Sequence, residues 1–169
     1  MLMKTITNQK GVGLIEVLVA LLVLAIGVLG FVALQYRAVE ATSEAINRVQ
    51  GINIARDLAE RMRANRDGLA DYKTQLGTAA NQSDSAINCM TSACSAVQLA
   101  DFDVSQVTTK AGTLGMTVNM LTCAGNSDGR NCIYVAWGDT SATDGTTAGD
   151  CTESTAYAPA STCVIMETY

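Results

Sequence analysis

Hydrophobic and polar positions divide the 169-residue chain into three unlike stretches. From Gly11 to Tyr36 the only charge is Glu16, and Val17 to Leu34 is an unbroken run of 18 uncharged residues rich in Leu, Val and Ala. A helix crossing ~30 Å of hydrocarbon needs roughly 20 mostly apolar residues. The run predicts a membrane-spanning helix, because helices apolar all round otherwise belong to the middle of large cores.

The pattern changes after Tyr36. Residues 37–66 hold no proline and one glycine, Gly51, so helix continues. Val39, Ile46 and Val49 share one face, whereas Ile54, Leu58 and Met62 recur at every fourth position on another. Two apolar faces predict two burials, against neighbouring chains near the membrane and against the chain's own globular part further along. Arg56 with Glu60, and Asp57 with Arg61, are opposite charges one turn apart. Gly68, after Asn65-Arg66-Asp67, reads as the stop signal. At 1.5 Å per residue, Gly13 to Asp67 would extend roughly 80 Å, a length that suits a filament better than an enzyme.

The third stretch is a small mixed head. Ser95-Ala96-Val97-Gln98 fits a capping box, with Val97, Leu99, Phe102, Val104 and Val107 giving a short helix its apolar mass. Leu114, Met116, Val118 and Met120 alternate as a strand does, as do Ile133, Val135 and Trp137, and Cys163 to Thr168 reads as a last strand. The Thr/Gly-rich remainder predicts irregular loops. The fold class is therefore α+β: a long N-terminal helix laid on a small antiparallel sheet.

Composition shows what must hold that head together. From Asp67 to Tyr169, Leu, Ile, Val and Phe number 15 of 103 residues and Ser plus Thr number 25. Hydrophobic burial alone leaves such a head marginal, and small domains of this kind use disulfides. All six cysteines fall there, as Cys89-x4-Cys94, Cys123-x8-Cys132 and Cys151-x11-Cys163. Six cysteines allow 15 connectivities, which spacing does not decide; sequential pairing, closing three short loops, is the expectation. Histidine is absent, which removes His-based triads and zinc sites that need imidazole, and leaves no base to activate a cysteine.

Charge gives the chain a direction. Lys4 and Lys10 precede the span without an acid. Residues 37–66 carry six arginines against four acids, and residues 67–169 carry eleven acids against Lys73, Lys110 and Arg130. Basic residues before the span keep the start cytoplasmic and send the acidic remainder outward, where an oxidising compartment suits the cysteines. An acid at the edge of the span is costly and normally partnered, yet neither Lys10 nor Arg37 is within helical reach of Glu16.

These residues carry a resemblance. Lys10-Gly11-Val12-Gly13-Leu14-Ile15-Glu16, running into unbroken apolar helix, resembles the processing site of type IV prepilins. The resemblance implies a leader of residues 1–11, cleavage by prepilin peptidase between Gly11 and Val12, and N-methylation of the new Val12 terminus. It also implies an assembly helix of residues 12–36 that stays in the mature protein, an amphipathic half at 37–67 and a disulfide-containing head at 68–169. Glu16 would then meet the cationic N-terminus of a neighbouring subunit, offsetting the desolvation of both charges. The chain departs from the commonest pattern at Val12 and Gly13, and Ala33 stands where many major pilins have a kinking proline. Gly27 and Gly30 are three apart and form no Gly-x-x-x-Gly face, so they read as close-packing or flexible points.

The run Arg56 to Gly68, and the stretch after Cys94, resemble the PilV-type minor pilins. That implies a low-copy pilus subunit that helps start or modify the fibre, with other minor pilins, the major pilin, the peptidase and the inner-membrane assembly platform as partners. It implies a membrane location first and a surface pilus afterwards. A minor pseudopilin of type II secretion shares the same N-terminus and long helix; a membrane-tethered adhesin or ligand-binding head uses the helix only as an anchor. Asn126 to Asn131 and Asp139 to Asp150 offer oxygen ligands, but neither matches an EF-hand loop and such clusters usually form turns. Trp137 and Tyr134 read as core strand. No metal, cofactor or enzymatic role is expected, and the acidic head disfavours nucleic acid as a partner.

Overall fold

A computed structural model describes residues 13–168; the leader and the Gly11–Val12 cleavage site lie outside the described residues. The chain divides between Glu44 and Ala45 into two compact units. One long helix, α1 (Leu14–Ala64), contributes to both.

In the first unit α1 is exposed all round. Leu14, Leu22 and Leu29 are 82%, 62% and 69% accessible, and no residue of its most apolar stretch is buried. An apolar surface of this kind, covered by none of the described residues, needs hydrocarbon or other helices around it. Val39, Ile46 and Val49 remain exposed too.

In the second unit α1 turns amphipathic. Gly51, Ile54, Ala55, Leu58 and Met62 form its buried stripe. Gly51 sets how closely the helix approaches the sheet: a Cβ there would lie 3.1 Å from both Trp137 Cζ3 and Val164 Cγ2. The helix stops at Ala64, before the expected Gly68, because Asn65 leaves helical geometry and a single 3-10 turn, Arg66–Gly68, follows. Gly68 is needed for a different reason. A Cβ would meet Asn65 Nδ2 at 2.6 Å and the Ala96 carbonyl at 2.7 Å, so the chain crosses itself there.

Helix α2 (Leu69–Leu76) buries Tyr72 and Leu76, one turn apart. Helix α3 (Ala96–Thr113) begins at a capping box: Ser95 N–H donates to Gln98 Oε1 at 2.9 Å, and Gln98 N–H to Ser95 Oγ at 3.4 Å. It runs 18 residues, longer than its apolar cluster predicts, and buries Ala100, Phe102, Val104, Val107 and Ala111. Leu114 does not join the next strand. It caps α3, and Gly115, at φ +69°, reverses the chain in a conformation glycine adopts without strain.

Strands β1 (Met116–Thr122), β2 (Asn131–Trp137) and β6 (Cys163–Glu167) form an antiparallel sheet in the order β1-β2-β6, with Val118 opposite Val135 and Val135 opposite Val164. One face, bearing Met116, Val118, Met120, Ile133, Val135, Trp137 and Val164, packs in the same core as the helices. The other bears Tyr134, Ala136, Cys132 and Cys163, and has a core of its own with Ala142 and Cys151.

That second core exists because the Thr/Gly-rich stretch is not irregular. Strands β3 (Ser141–Asp144), β4 (Asp150–Glu153) and β5 (Ala156–Tyr157) make a second sheet, β3 parallel to β4 and β4 antiparallel to β5. Hydroxyl and carboxylate side chains shape it. Asp150 Oδ2 accepts from the Thr147 N–H at 2.8 Å, and Thr152 Oγ1 donates to Asp144 Oδ1 at 2.7 Å.

Candidate functional site

Glu16 stands in the first turn of α1, with its own N–H bonded to the Gly13 carbonyl at 2.9 Å. It is exposed, and among the described residues no cation reaches its carboxylate. Ala20 and Leu24 follow it at helical spacing on the same face. Gly27 and Gly30 have open space where a Cβ would be, so none of the described residues requires them to be glycine.

The head end of α1 is held by charge as well as by packing. Arg61 donates from Nε to Asp57 Oδ1 at 2.9 Å and from Nη1 to Asp103 Oδ1 at 2.8 Å. Asp103, buried on α3, also accepts from the Tyr72 hydroxyl at 2.5 Å. Lys110 Nζ reaches Asp57 Oδ2 at 3.3 Å. Asn65, just beyond α1, donates to the Ala96 carbonyl at 2.7 Å. Burial works against the charge on Asp57, but Arg61 and Lys110 outweigh it and hold its carboxyl below the usual range. Burial likewise opposes the charge on Arg61, and hydrogen bonds to Asp57 and Asp103 overcome it, so its pKa is raised. Burial, reinforced by the hydrogen bond to Asp103, pushes the Tyr72 hydroxyl well above an ordinary tyrosine.

The six cysteines are bridged in sequence order. Cys89–Cys94 closes the loop before α3, Cys123–Cys132 closes the loop between β1 and β2, and Cys151–Cys163 ties the second sheet to the first. Their Cα separations of 5.6, 5.0 and 5.9 Å are ordinary for disulfides.

Where α1 passes β6 the head has an open groove of about 840 Å³. Arg56, Glu60 and Arg63 of α1 line one wall, and Met166 and Glu167 of β6 the other, with Arg130 beside them. Sequence reasoning paired Arg56 with Glu60. In the structure Glu60 takes Arg63 at 3.3 Å and Arg130 takes Glu167 at 2.6 Å, which leaves Arg56 without an ion pair among the described residues. No local signal unites residues from α1, the hairpin loop and β6; the arginine surplus of 37–66 was the only trace. Trp137 and Tyr134 are buried in the two cores. Among the described residues no three metal-ligating side chains converge.

A long N-terminal apolar helix packed on a small, disulfide-bonded antiparallel sheet is the type IV pilin fold. The sequence agrees from the N-terminal helix into α3, and the strands lie beyond the matched residues. Residues 6–32 match the prokaryotic N-terminal methylation motif, and residues 33–105 match the family described as Tt1218-like, type IV pilin Tt1218. No curated protein and no solved structure matches the chain. The pilin family is a structural one, and the methylation motif with the apolar helix marks a membrane-anchored subunit.

Proposed function

We propose that the chain is a minor type IV pilin of PilV type, built into the fibre at low copy, where it helps to start or modify assembly. Prepilin peptidase cuts between Gly11 and Val12, Val12 is N-methylated, and α1 waits in the inner membrane with the head on the periplasmic side. Extraction into the fibre exchanges lipid around Leu14 to Leu34 for the helices of other pilins. The observation that carries this reading is Glu16: an acid in the first turn of an exposed apolar helix, without an ion-pair partner among the described residues. A cationic N-terminus on a neighbouring subunit would neutralise it as the two leave water. The partners are the major pilin, other minor pilins and the assembly platform; the mechanism is structural.

Intact-mass measurement with N-terminal sequencing tests the processing step. The expected start is N-methyl-Val12; an uncut chain, or one cut after Leu34, overturns it. Glu16→Ala then separates assembly from tethering: the protein should stay in the membrane and disappear from sheared fibres. Loss of fibres and twitching on deletion supports a pilin, whereas loss of a secreted enzyme with fibres intact supports a type II secretion pseudopilin.

A further inference from the structure

The groove between α1 and β6 combines two features that belong to one kind of partner. β6 is the edge of its sheet, paired with β2 alone. The bonds Trp137 N–H to the Thr162 carbonyl and Thr168 N–H to the Asn131 carbonyl fix the ladder's phase. Hydrogen-bonded pairs alternate in an antiparallel ladder, so Val164 and Met166 bond toward β2, and the main-chain groups of Ile165 and Glu167 point away from it. Among the described residues no bond other than those of the β2 ladder engages the main chain of Ile165 or Glu167, so that edge is unpaired. Across the groove stands Arg56, exposed and without an ion pair among the described residues, while its neighbours Arg63 and Arg130 are matched by Glu60 and Glu167. The groove thus carries one surplus positive charge in a head that is otherwise strongly acidic.

We propose that this groove receives an extended, acid-bearing segment of a neighbouring pilin, which adds to β6 as a fourth strand and sets one carboxylate against Arg56. This deepens the pilin reading above and rests on it. Two residues of strand span ~7 Å, so a segment bonding to both Ile165 and Glu167 keeps an extended conformation through the groove. Main-chain bonds then supply the attraction and the Arg56 contact the selectivity, as in other strand additions. A small free anion would use Arg56 but leave the strand edge unpaired. A nucleic acid would bring many phosphates to a groove with one unmatched cation, on a head that is acidic overall.

The test uses the mature full chain in detergent micelles and a labelled peptide, Thr-Val-Thr-Asp-Thr-Val-Thr, followed by fluorescence anisotropy. The peptide should bind saturably, and its Asp→Asn version roughly five- to tenfold more weakly, as loss of one charge-assisted hydrogen bond implies. Of two versions methylated on alternate amides, one should lose binding and the other keep it, since a strand offers one edge to β6. Arg56→Gln, an exposed change, should abolish the preference for Asp over Asn. The proposal is overturned if the parent peptide does not bind, if Asp and Asn versions bind alike, or if both methylated versions bind as the parent does. Any of these with N-methyl-Val12 and Glu16-dependent incorporation intact removes the groove's role and leaves the pilin reading standing.

Discussion

Asp103 accepts a hydrogen bond from Arg61 at 2.8 Å and another from Tyr72 at 2.5 Å, so one buried carboxylate ties α1, α2 and α3 together. Removing it strands both donors. Arg61 keeps Asp57 and is partly exposed, so the loss falls short of that for a fully buried ion pair. Asp103→Ala should cost about 2–3 kcal/mol, and Tyr72→Phe about 1 kcal/mol. Denaturant titration followed through Trp137, the chain's single tryptophan, measures both. Equal losses in the two variants would mean that Arg61 contributes nothing through Asp103.

The same cluster sets a pH window. Asp57 titrates lower in the folded protein than in the unfolded chain, so its contribution is present above the ordinary carboxylate range and vanishes as pH falls through its depressed value. Tyr72 titrates higher when folded, so its contribution is complete below about pH 10, the unfolded tyrosine value, and is lost as pH rises beyond it. Asp57→Asn should flatten the acid limb of stability against pH, and Tyr72→Phe the alkaline limb. Each variant should leave the opposite limb unchanged in unfolding experiments across pH.

What could be read from the sequence follows the physics of each part. The apolar run from Val17 to Leu34 and the stripe of Ile54, Leu58 and Met62 announce themselves, because one solvent or one face selects them. The capping box at Ser95 is equally plain, since it is local. Helix α2 offered only Tyr72 and Leu76, too little periodicity to stand out. The second sheet offered less. Strands β3 to β5 are held by bonds such as Thr147 to Asp150 and Thr152 to Asp144, so no alternation of apolar residues betrays them. Asp103 carries a signal of its own: an acid between Phe102 and Val104 on an apolar helix face needs a partner. The groove had almost none, because Arg56, Arg130 and Met166 meet only through the fold. Glu16 is legible for the opposite reason, being the one charge in a long apolar run.

Gly51 tests how close α1 must lie to the sheet. Alanine there gains about 1 kcal/mol of helix propensity, offset by a methyl 3.1 Å from the buried Trp137 ring and a Val164 methyl, which must give by a few tenths of an ångström. Gly51→Ala should therefore stay within about 1 kcal/mol of the parent. Gly51→Leu cannot be accommodated without moving the indole, and should lose about 2–3 kcal/mol and shift the emission of Trp137. Unchanged stability and spectrum in the leucine variant would mean that Gly51 does not set the approach of α1 to the sheet.

The disulfides separate loop closure from coupling between sheets. Cys89–Cys94 and Cys151–Cys163 have sequence separations of 5 and 12, so chain entropy predicts stabilisations of about 2 and 3 kcal/mol, less than about 1 kcal/mol apart. Their surroundings differ far more. Cys151 and Cys163 are buried in the second core and join β4 to β6, whereas Cys89 and Cys94 are half-buried and join neighbours in one loop. Paired Cys→Ala replacement of the first bridge should lower stability by its entropic term and leave the rest of the head intact. Paired replacement at Cys151 and Cys163 should lose clearly more than the entropic gap allows, with hydrogen exchange rising across β3, β4 and β5 before β1 and β2. If the two replacements differ only by the loop-entropy increment, the second sheet is held by its own Asp and Thr bonds, and the bridge merely shortens a loop.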